Sequence, residues 1–237
     1  MMINRLADRK LIVDGNELHH LMGYPHGQPI SPPIQEVIDQ QLAQLNGLAQ
    51  PWGTWLEIPI ECIDGEQIRL TGQACLRSQR LSKILRKSSA IRLILATLGP
   101  RVSEKVRQYT DDGDMLEALA LDSAATTAIS SMMEGLQADS YRDASSRSFG
   151  STLRYGPGYT GWKIGDIEVL FDYLPKGQVP VRLNDQHMMI PEKSLLAIVG
   201  LVPGGRSESP EVDPCRICDL KNCVLRKQPY GGSRKLD

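Results

Sequence analysis

The stretch AIRLILATLG, from Ala90 to Gly99, is a nearly continuous apolar run that stops at a Gly-Pro pair. Runs of this length between turn residues are typical of a strand that is buried on both faces. We therefore predict that this stretch is the central strand of a sheet, and that the neighbouring segments supply its partner strands and its covering helices.

Two β-rich runs, WLEIPIEC and EQIRLTG, precede this strand and are separated by Asp64 and Gly65. An Asp-Gly pair between such runs is a strong signal for a tight hairpin. They predict an antiparallel pair of strands. Toward the C-terminus, the strand-like runs VPVRL and LLAIVGLV are expected to close the domain.

Helical periodicity accounts for most of the remaining sequence. A helix is predicted from Ser31, where apolar residues recur on one face, and a shorter one from Ser78 to Lys87. Helical spacing of apolar residues begins again at Val102 and, after a break, resumes from Met115 to about Leu136. The polar run SYRDASSRSFGST is predicted to be a loop. The segment DIEVLFDYL predicts a last short helix.

These elements predict an α+β fold: a mixed or largely antiparallel twisted sheet with flanking helices, because no regular strand-helix alternation is present. We assign residues 1–202 to one domain, whose N-terminal helical and hairpin part covers about 1–76. The composition of residues 203–214 predicts a linker, and residues 215–237 form a cysteine-containing appendage.

Composition narrows the functional classes. The 237 residues include 27 Lys and Arg against 28 Asp and Glu, for a formal charge of −1, which gives no sign of a nucleic-acid or membrane partner. No stretch has the length and apolarity of a signal peptide or membrane span, so we expect a cytoplasmic protein. Dinucleotide and P-loop fingerprints are absent from the sequence.

The loop LRYGPGYTGW, from Leu153 to Trp162, combines an arginine, a Gly-Pro-Gly turn and an aromatic residue. A guanidinium can grip a carboxylate through two parallel hydrogen bonds. The glycines and proline fix the backbone, so Tyr159 would be presented from a rigid loop. The alternative interpretation is an ordinary tight turn, with Arg154 on a solvated face and Tyr159 covering the core.

Three further blocks accompany this loop: ILATLGPRVSEKVRQY, ALALDSAATTA and VRLNDQHMMIPEKS. In this order and spacing, over roughly residues 30 to 202, the chain resembles the activation domain of cobalamin-dependent methionine synthase, here as a stand-alone protein. The resemblance implies that the chain binds S-adenosylmethionine and supports reductive methylation of cob(II)alamin on a separate methionine synthase subunit. A flavodoxin-like or other one-electron donor would be the second partner, and the chain would be an accessory to a methyltransferase.

Site residues follow from the resemblance position by position. Arg154 matches the arginine of an R-x-x-x-G-Y motif and is expected to bind the carboxylate of S-adenosylmethionine. Gly158 and Tyr159 match the residues that face cobalamin. Val199 and Gly200 fall where larger synthases have an aromatic pair that touches the ligand, although both aromatics are replaced here. No catalytic general base is expected. Six residues before Arg154, Ser148 stands where the larger proteins carry a glutamate.

The appendage carries Cys215, Cys218 and Cys223 in a C-x2-C-x4-C spacing. Three thiolates so spaced can bind zinc, with a fourth ligand from elsewhere, or an iron-sulfur cluster. This suggests an alternative function, a corrinoid-maintenance or electron-transfer factor that carries a metal centre on these cysteines. A binding module that senses a ligand without acting on cobalamin is a third hypothesis. Cys62 and Cys75 are interpreted as buried, inert thiols.

Overall fold

The computed structural model describes residues 11–25, 27–72 and 74–205, together with positions 218, 220, 221, 223 and 226. The helices are α1 (Gly15–Leu21), α2 (Pro32–Leu48), α3 (Gln79–Leu85), α4 (Arg101–Asp112), α5 (Met115–Ser146) and α6 (Asp166–Phe171). The strands are β1 (Trp52–Asp64), β2 (Gln67–Leu70), β3 (Cys75–Arg77), β4 (Ala90–Thr97), β5 (Phe149–Ser151), β6 (Arg182–Leu183), β7 (Met189–Ile190) and β8 (Ser194–Pro203).

The main sheet of the described chain has six strands in the order β3-β2-β1-β4-β8-β5, and every pairing in it is antiparallel. The predicted central strand, β4, is buried along its whole length. It lies between β1 and β8, so that Leu93 stands opposite Leu56 on one side and Ile198 on the other. Strands β6 and β7 form a separate two-stranded ribbon.

The two faces of the sheet carry different layers because successive strand residues point to opposite sides. Ile94 and Ala96 of β4 pack in a core with α1, α2, α4 and the long helix α5. Leu93 and Leu95 pack in a second core with α3, α6 and the 153–162 loop. Helix α5 runs directly over β1, where Gly53 leaves room for Leu136 and Met132.

The α+β prediction is confirmed, and so are the hairpin and the central strand. Helix α5 is longer than predicted, since the polar residues after Leu136 continue it to Ser146. This difference has a physical cause: Ser140, Tyr141 and Ala144 are buried against the sheet, and the Tyr141 hydroxyl donates to the carbonyl of Thr152. No helix in the described residues is long and apolar enough to cross a bilayer.

Candidate functional site

The 153–162 loop begins at the edge of the sheet, directly after β5. Its first residues also pair with β8, but less regularly than β5 does. The Thr152 N–H donates to the Gly200 carbonyl at 2.9 Å, and Tyr155 exchanges backbone hydrogen bonds of 2.9 and 2.8 Å with Ile198. Between these contacts the loop has one residue more than β8, so Leu153 and Arg154 together stand opposite Val199. Such a bulge changes the direction of a side chain at a sheet edge. It sets the position of Arg154.

Arg154 has a donor without a partner. Its side chain is partly buried, and its Nη1 atom is shielded from water without a hydrogen-bond acceptor among the described residues. A buried donor of this kind normally finds an acceptor, because leaving it unsatisfied costs roughly 1 to 3 kcal/mol. Arg154 is therefore suited to receive an acceptor from a ligand, and a carboxylate has the geometry that a guanidinium prefers.

The turn after Arg154 depends on its two glycines. A side chain at Gly156 would place a Cβ 3.2 Å from the backbone oxygen of Leu196, so this residue lies directly against β8. Gly158 has a φ of +88°, a conformation that side-chain-bearing residues rarely adopt. The Gly158 N–H donates to the Trp162 carbonyl at 3.0 Å and closes the turn. The loop thus has one well-determined backbone path.

Three aromatic rings stabilise this loop from within. Tyr155 stacks on Trp162 with ring centroids 6.2 Å apart, and it meets Tyr159 edge-on at 5.3 Å. Tyr155 and Trp162 are buried, whereas Tyr159 is 39% exposed. Ile164, which is also exposed, packs beside Gly158. The outer surface of the loop is therefore an aromatic and apolar patch, supported from below by the buried rings of Tyr155 and Trp162.

Polar contacts attach the loop to the rest of the fold. The indole N–H of Trp162 donates to Asp166 Oδ2 at 2.8 Å, and the same oxygen accepts from the backbone N–H of Arg77 at 3.1 Å. The Ser78 hydroxyl donates to the Gly161 carbonyl at 2.7 Å. These bonds join the loop to β3 and α3 across more than eighty residues of sequence.

Val199 and Gly200 lie next to the loop in β8, but they present no side chain to it. Val199 is fully buried in the core on the α5 side. A Cβ at Gly200 would lie 2.2 Å from the Ser88 hydroxyl and 2.6 Å from Leu85, so these two residues already occupy the space. Both backbone polar groups of Gly200 are bonded to Thr152. That these positions contact a ligand stays a prediction, and the described contacts support a packing role.

The cysteine site lies largely outside the described part of the chain. Cys215 is not among the described residues, whereas Cys218 and Cys223 are described as half-buried free thiols. The described residues contain no cluster of three or more potential metal ligands. The metal prediction therefore stays a prediction. The interpretation of Cys62 and Cys75 as buried thiols is wrong: Cys62 is exposed near the end of β1, where most of the strand is exposed, and Cys75 is only partly buried.

A second arginine, Arg92, has very different surroundings. It lies in the middle of the sheet on β4 and is 1% exposed. Its Nη1 donates to the Ser140 carbonyl at 2.6 Å, and its Nη2 contacts Glu57 at 3.3 Å and also pairs with Asp143. A buried charge is tolerated only when it is paired and hydrogen-bonded. These contacts join β4, β1 and the C-terminal part of α5.

Arg147 completes this cluster at the protein surface. It forms a two-point pair with Glu57 at 2.7 and 3.0 Å and lies over the ring of Phe149. Hydrogen bonds from Arg147 are the main cause of a lowered pKa of the Glu57 carboxyl, and Arg92 lowers this pKa further against the effect of burial. The network of two arginines and two carboxylates is electrically balanced.

The sequence interpretation did not identify this network. The feature of the sequence that could have indicated it is Arg92, a charged residue within the otherwise apolar run AIRLILATLG, because a charge in a buried strand requires partners. Those partners, Glu57 and Asp143, are 35 and 51 residues away. The network borders a cavity of about 700 Å³ beside β1, and none of the site residues predicted from the sequence lines this cavity.

Similarity of this chain to known proteins lies in its structure rather than in its sequence. No protein-family model matches the chain, and no curated protein matches it in sequence. Its structure is similar to the crystal structure of the MetH reactivation domain bound to AdoHcy, with a TM-score of 0.66 and 12% sequence identity. The match covers 89% of this chain and 81% of that chain. At this identity the similarity shows a shared fold.

Proposed function

We propose that this chain binds S-adenosylmethionine and supports the reductive methylation of cob(II)alamin on a separate cobalamin-dependent methionine synthase. The observation that carries the proposal is the buried, unpartnered Nη1 of Arg154 at the start of a rigid loop. The loop belongs to a fold shared with a reactivation domain whose solved structure contains AdoHcy.

Arg154 is the residue that would hold the ligand. A carboxylate that accepts from its guanidinium would satisfy the donor that the protein leaves unpaired, and it would orient the amino-acid end of S-adenosylmethionine. The bulge opposite Val199 and the bonds between Tyr155 and Ile198 fix the backbone on either side of Arg154. Positioning of this kind is the protein's main contribution when the ligand itself carries the reactive group.

Gly158 and Tyr159 would form the surface that meets the partner's cobalamin. Tyr159 is exposed although its ring is held edge-on by Tyr155, so it can be covered by a partner without rearrangement of the loop. S-adenosylmethionine would supply the methyl group, cobalamin on the partner would accept it, and a flavodoxin-like or other donor would supply one electron. The chain would then be an accessory component of a methyltransferase.

The direct test is a reactivation assay. A cobalamin-dependent methionine synthase that lacks its own activation region is brought to the cob(II)alamin state and mixed with S-adenosylmethionine, a one-electron donor and this chain. We expect the visible absorbance of cob(II)alamin to decay and methyl transfer to recover. The Arg154→Ala variant should need roughly tenfold or more S-adenosylmethionine for the same recovery because it has lost a ligand contact, whereas Arg182→Ala, at an exposed position on β6, should behave as the wild type.

A further variant separates ligand binding from docking. Tyr159→Ala should still bind S-adenosylmethionine but support less recovery, since it removes the exposed ring and leaves Arg154 and its sheet-edge bonds in place. The proposal is wrong if the wild-type chain gives no recovery under conditions in which an intact synthase reactivates itself.

A further inference from the structure

Strand β1 has an open edge in the middle of the sheet. On one side it pairs with β4 from Trp52 to Pro59, but on the other side β2 follows it only from Asp64 back to Ile60. The chain then turns away at Thr71 and Gly72 toward β3, and the Thr71 N–H makes a last bond of 3.1 Å to the Pro59 carbonyl. Within the described chain, the remainder of this edge has no partner strand.

The polar groups that face this edge can be assigned from the pairing. The Ile60 N–H donates toward β4, to Ser89, whereas the Pro59 carbonyl points away from β4, to Thr71. Successive residues in a strand direct their N–H and C=O groups to opposite edges. Trp55 and Glu57 therefore present an N–H and a C=O each to the open edge, a short row of four backbone groups.

The cavity of about 700 Å³ runs along this same edge. Half of its lining residues form the continuous segment 55–59, and Thr71 and Tyr173 also line it. At about 3.3 Å per residue, five strand residues span roughly 16 Å, so the cavity, which we call the groove, lies beside this length of strand. Its volume lies within the range of about 300 to 1,000 Å³ that is usual for binding sites.

The charges around the groove do not protect the edge. Exposed sheet edges are commonly blocked by unpaired charges, bulges or proline. Here Glu57 is neutralised by Arg147 and Arg92, and Asp143 is paired with Arg92. The bulge and the proline lie at one end, near Ile60, so the segment before them stays accessible.

The two sides of the groove differ in polarity. The side chains of Leu56 and Ile58 point toward the second core, beside Tyr173. Glu57 lies on the other face with the arginine-carboxylate network. An added strand would therefore place alternate side chains against an apolar wall and a neutral polar wall.

We propose that the edge of β1 from Trp55 to Ile58 binds an extended segment of another polypeptide, with apolar residues at every second position and no net charge. Main-chain hydrogen bonds to Trp55 and Glu57 would provide the affinity, and the alternating walls would provide the selectivity, as in other cases of β-strand addition. This site is separate from Arg154 and does not depend on the proposed function.

The test uses the full chain labelled with ¹⁵N and a peptide with blocked ends, in which eight alternating valine and threonine residues are followed by a Lys-Glu pair that improves solubility and leaves no net charge. We expect saturable shifts of the Trp55 and Glu57 amide resonances, with a dissociation constant below about 1 mM. Two control peptides carry N-methyl groups on all valines or on all threonines. In an added strand, the N–H groups of either the valines or the threonines face β1, but not both. The control that is methylated on the facing residues should therefore bind about tenfold more weakly than the other.

A pair of variants isolates the backbone contribution on the protein side. Trp55→Pro removes the N–H that faces the groove and keeps the β4 ladder, and Trp55→Val removes the same indole but keeps the N–H. Binding should be about five- to tenfold weaker for the proline variant than for the valine variant. Melting temperatures of both variants show whether each one is folded.

Several results would overturn the proposal: no saturable shift up to 1 mM peptide, equal binding of the two methylated peptides, equal binding of the two Trp55 variants, or shifts confined to the Arg154 loop. Shifts at Trp55 that depend on protein concentration without peptide would assign the edge to a second copy of the chain, and would also overturn it.

Discussion

Arg92 and Arg154 differ in how the protein partners their terminal nitrogens, although the Nε of Arg92 is also buried without an acceptor in the described chain. Arg92 is enclosed by carboxylates and a carbonyl that satisfy both of its terminal nitrogens. Arg154 lies at a sheet-edge bulge with a terminal nitrogen shielded from water but unpartnered within the described chain. The comparison teaches that the acceptors around a buried guanidinium decide which role it is suited to. Arg92 has acceptors within the fold, whereas an acceptor for Arg154 Nη1 would have to come from a ligand, as we propose.

The largest expected effect is on the stability of the Arg92 network. Arg92→Ala leaves Glu57 and Asp143 without their buried partner and opens a cavity between α5 and the sheet. We expect a loss of about 3 kcal/mol in the free energy of unfolding, measured by urea denaturation. Arg92→Met should lose clearly less, because it refills the volume without a charge. Equal loss in both variants would contradict the cavity contribution, and a loss of less than about 1 kcal/mol in both would contradict the importance of the ion pairs.

Gly200→Ala tests whether Gly200 is a packing residue. The added Cβ would collide with Ser88 and Leu85, so we expect the variant to lose about 2 kcal/mol of stability by the same measurement. Gly47→Ala in α2 is the matched control. Its Cβ meets no atom within 4 Å, and alanine favours a helix, so no loss is expected there. Unchanged stability of Gly200→Ala would mean that open space remains beside β8.

The loop itself is tested by Gly158→Ala. With a φ of +88° at this position, alanine should cost about 1 kcal/mol and loosen the presentation of Tyr159. Gly15→Ala, at a glycine without crowding or positive φ, should be neutral. Thermal unfolding of the two variants distinguishes these expectations, and a neutral Gly158→Ala would show that the loop is not rigid at this glycine.

The smallest effect concerns pH. The pKa of Glu57 is lowered in the folded state, so its contribution to stability is complete above its ordinary pKa of about 4.5 and is lost as the pH falls through the lower folded value. Glu57→Gln should be less stable than the wild type at pH 7 and should lose less on acidification below 4.5. Melting temperatures from pH 7 to pH 3 provide the check. Parallel curves for the two proteins would count against the Arg147 and Arg92 pairing.

The sequence predicted the parts of this fold that rest on local pattern. The apolar run of β4, the Asp-Gly turn after β1 and the spacing in α6 follow from composition and period alone. The end of α5 does not follow in this way, because Ser140 and Tyr141 carry hydroxyl groups and are buried through contacts with Arg92 of β4 and with Thr152, just before the 153–162 loop. The candidate loop around Arg154 could be proposed from its own residues. The close packing of Ser88 and Leu85 around Gly200 could not be foreseen, since those residues are remote in sequence, and a ligand contact at Gly200 stays a prediction.

The most direct test of the account is the affinity of the full chain for S-adenosylmethionine, measured by isothermal titration calorimetry for the wild type and for Arg154→Ala. A hydrogen bond to a charged group is worth about 1.5 to 3 kcal/mol, so the variant should bind roughly tenfold or more weakly. Arg92→Met, if folded, should keep the wild-type affinity. Equal affinity of wild type and Arg154→Ala, or no binding by the wild type, would contradict the claim that the unpartnered arginine is a ligand-binding residue.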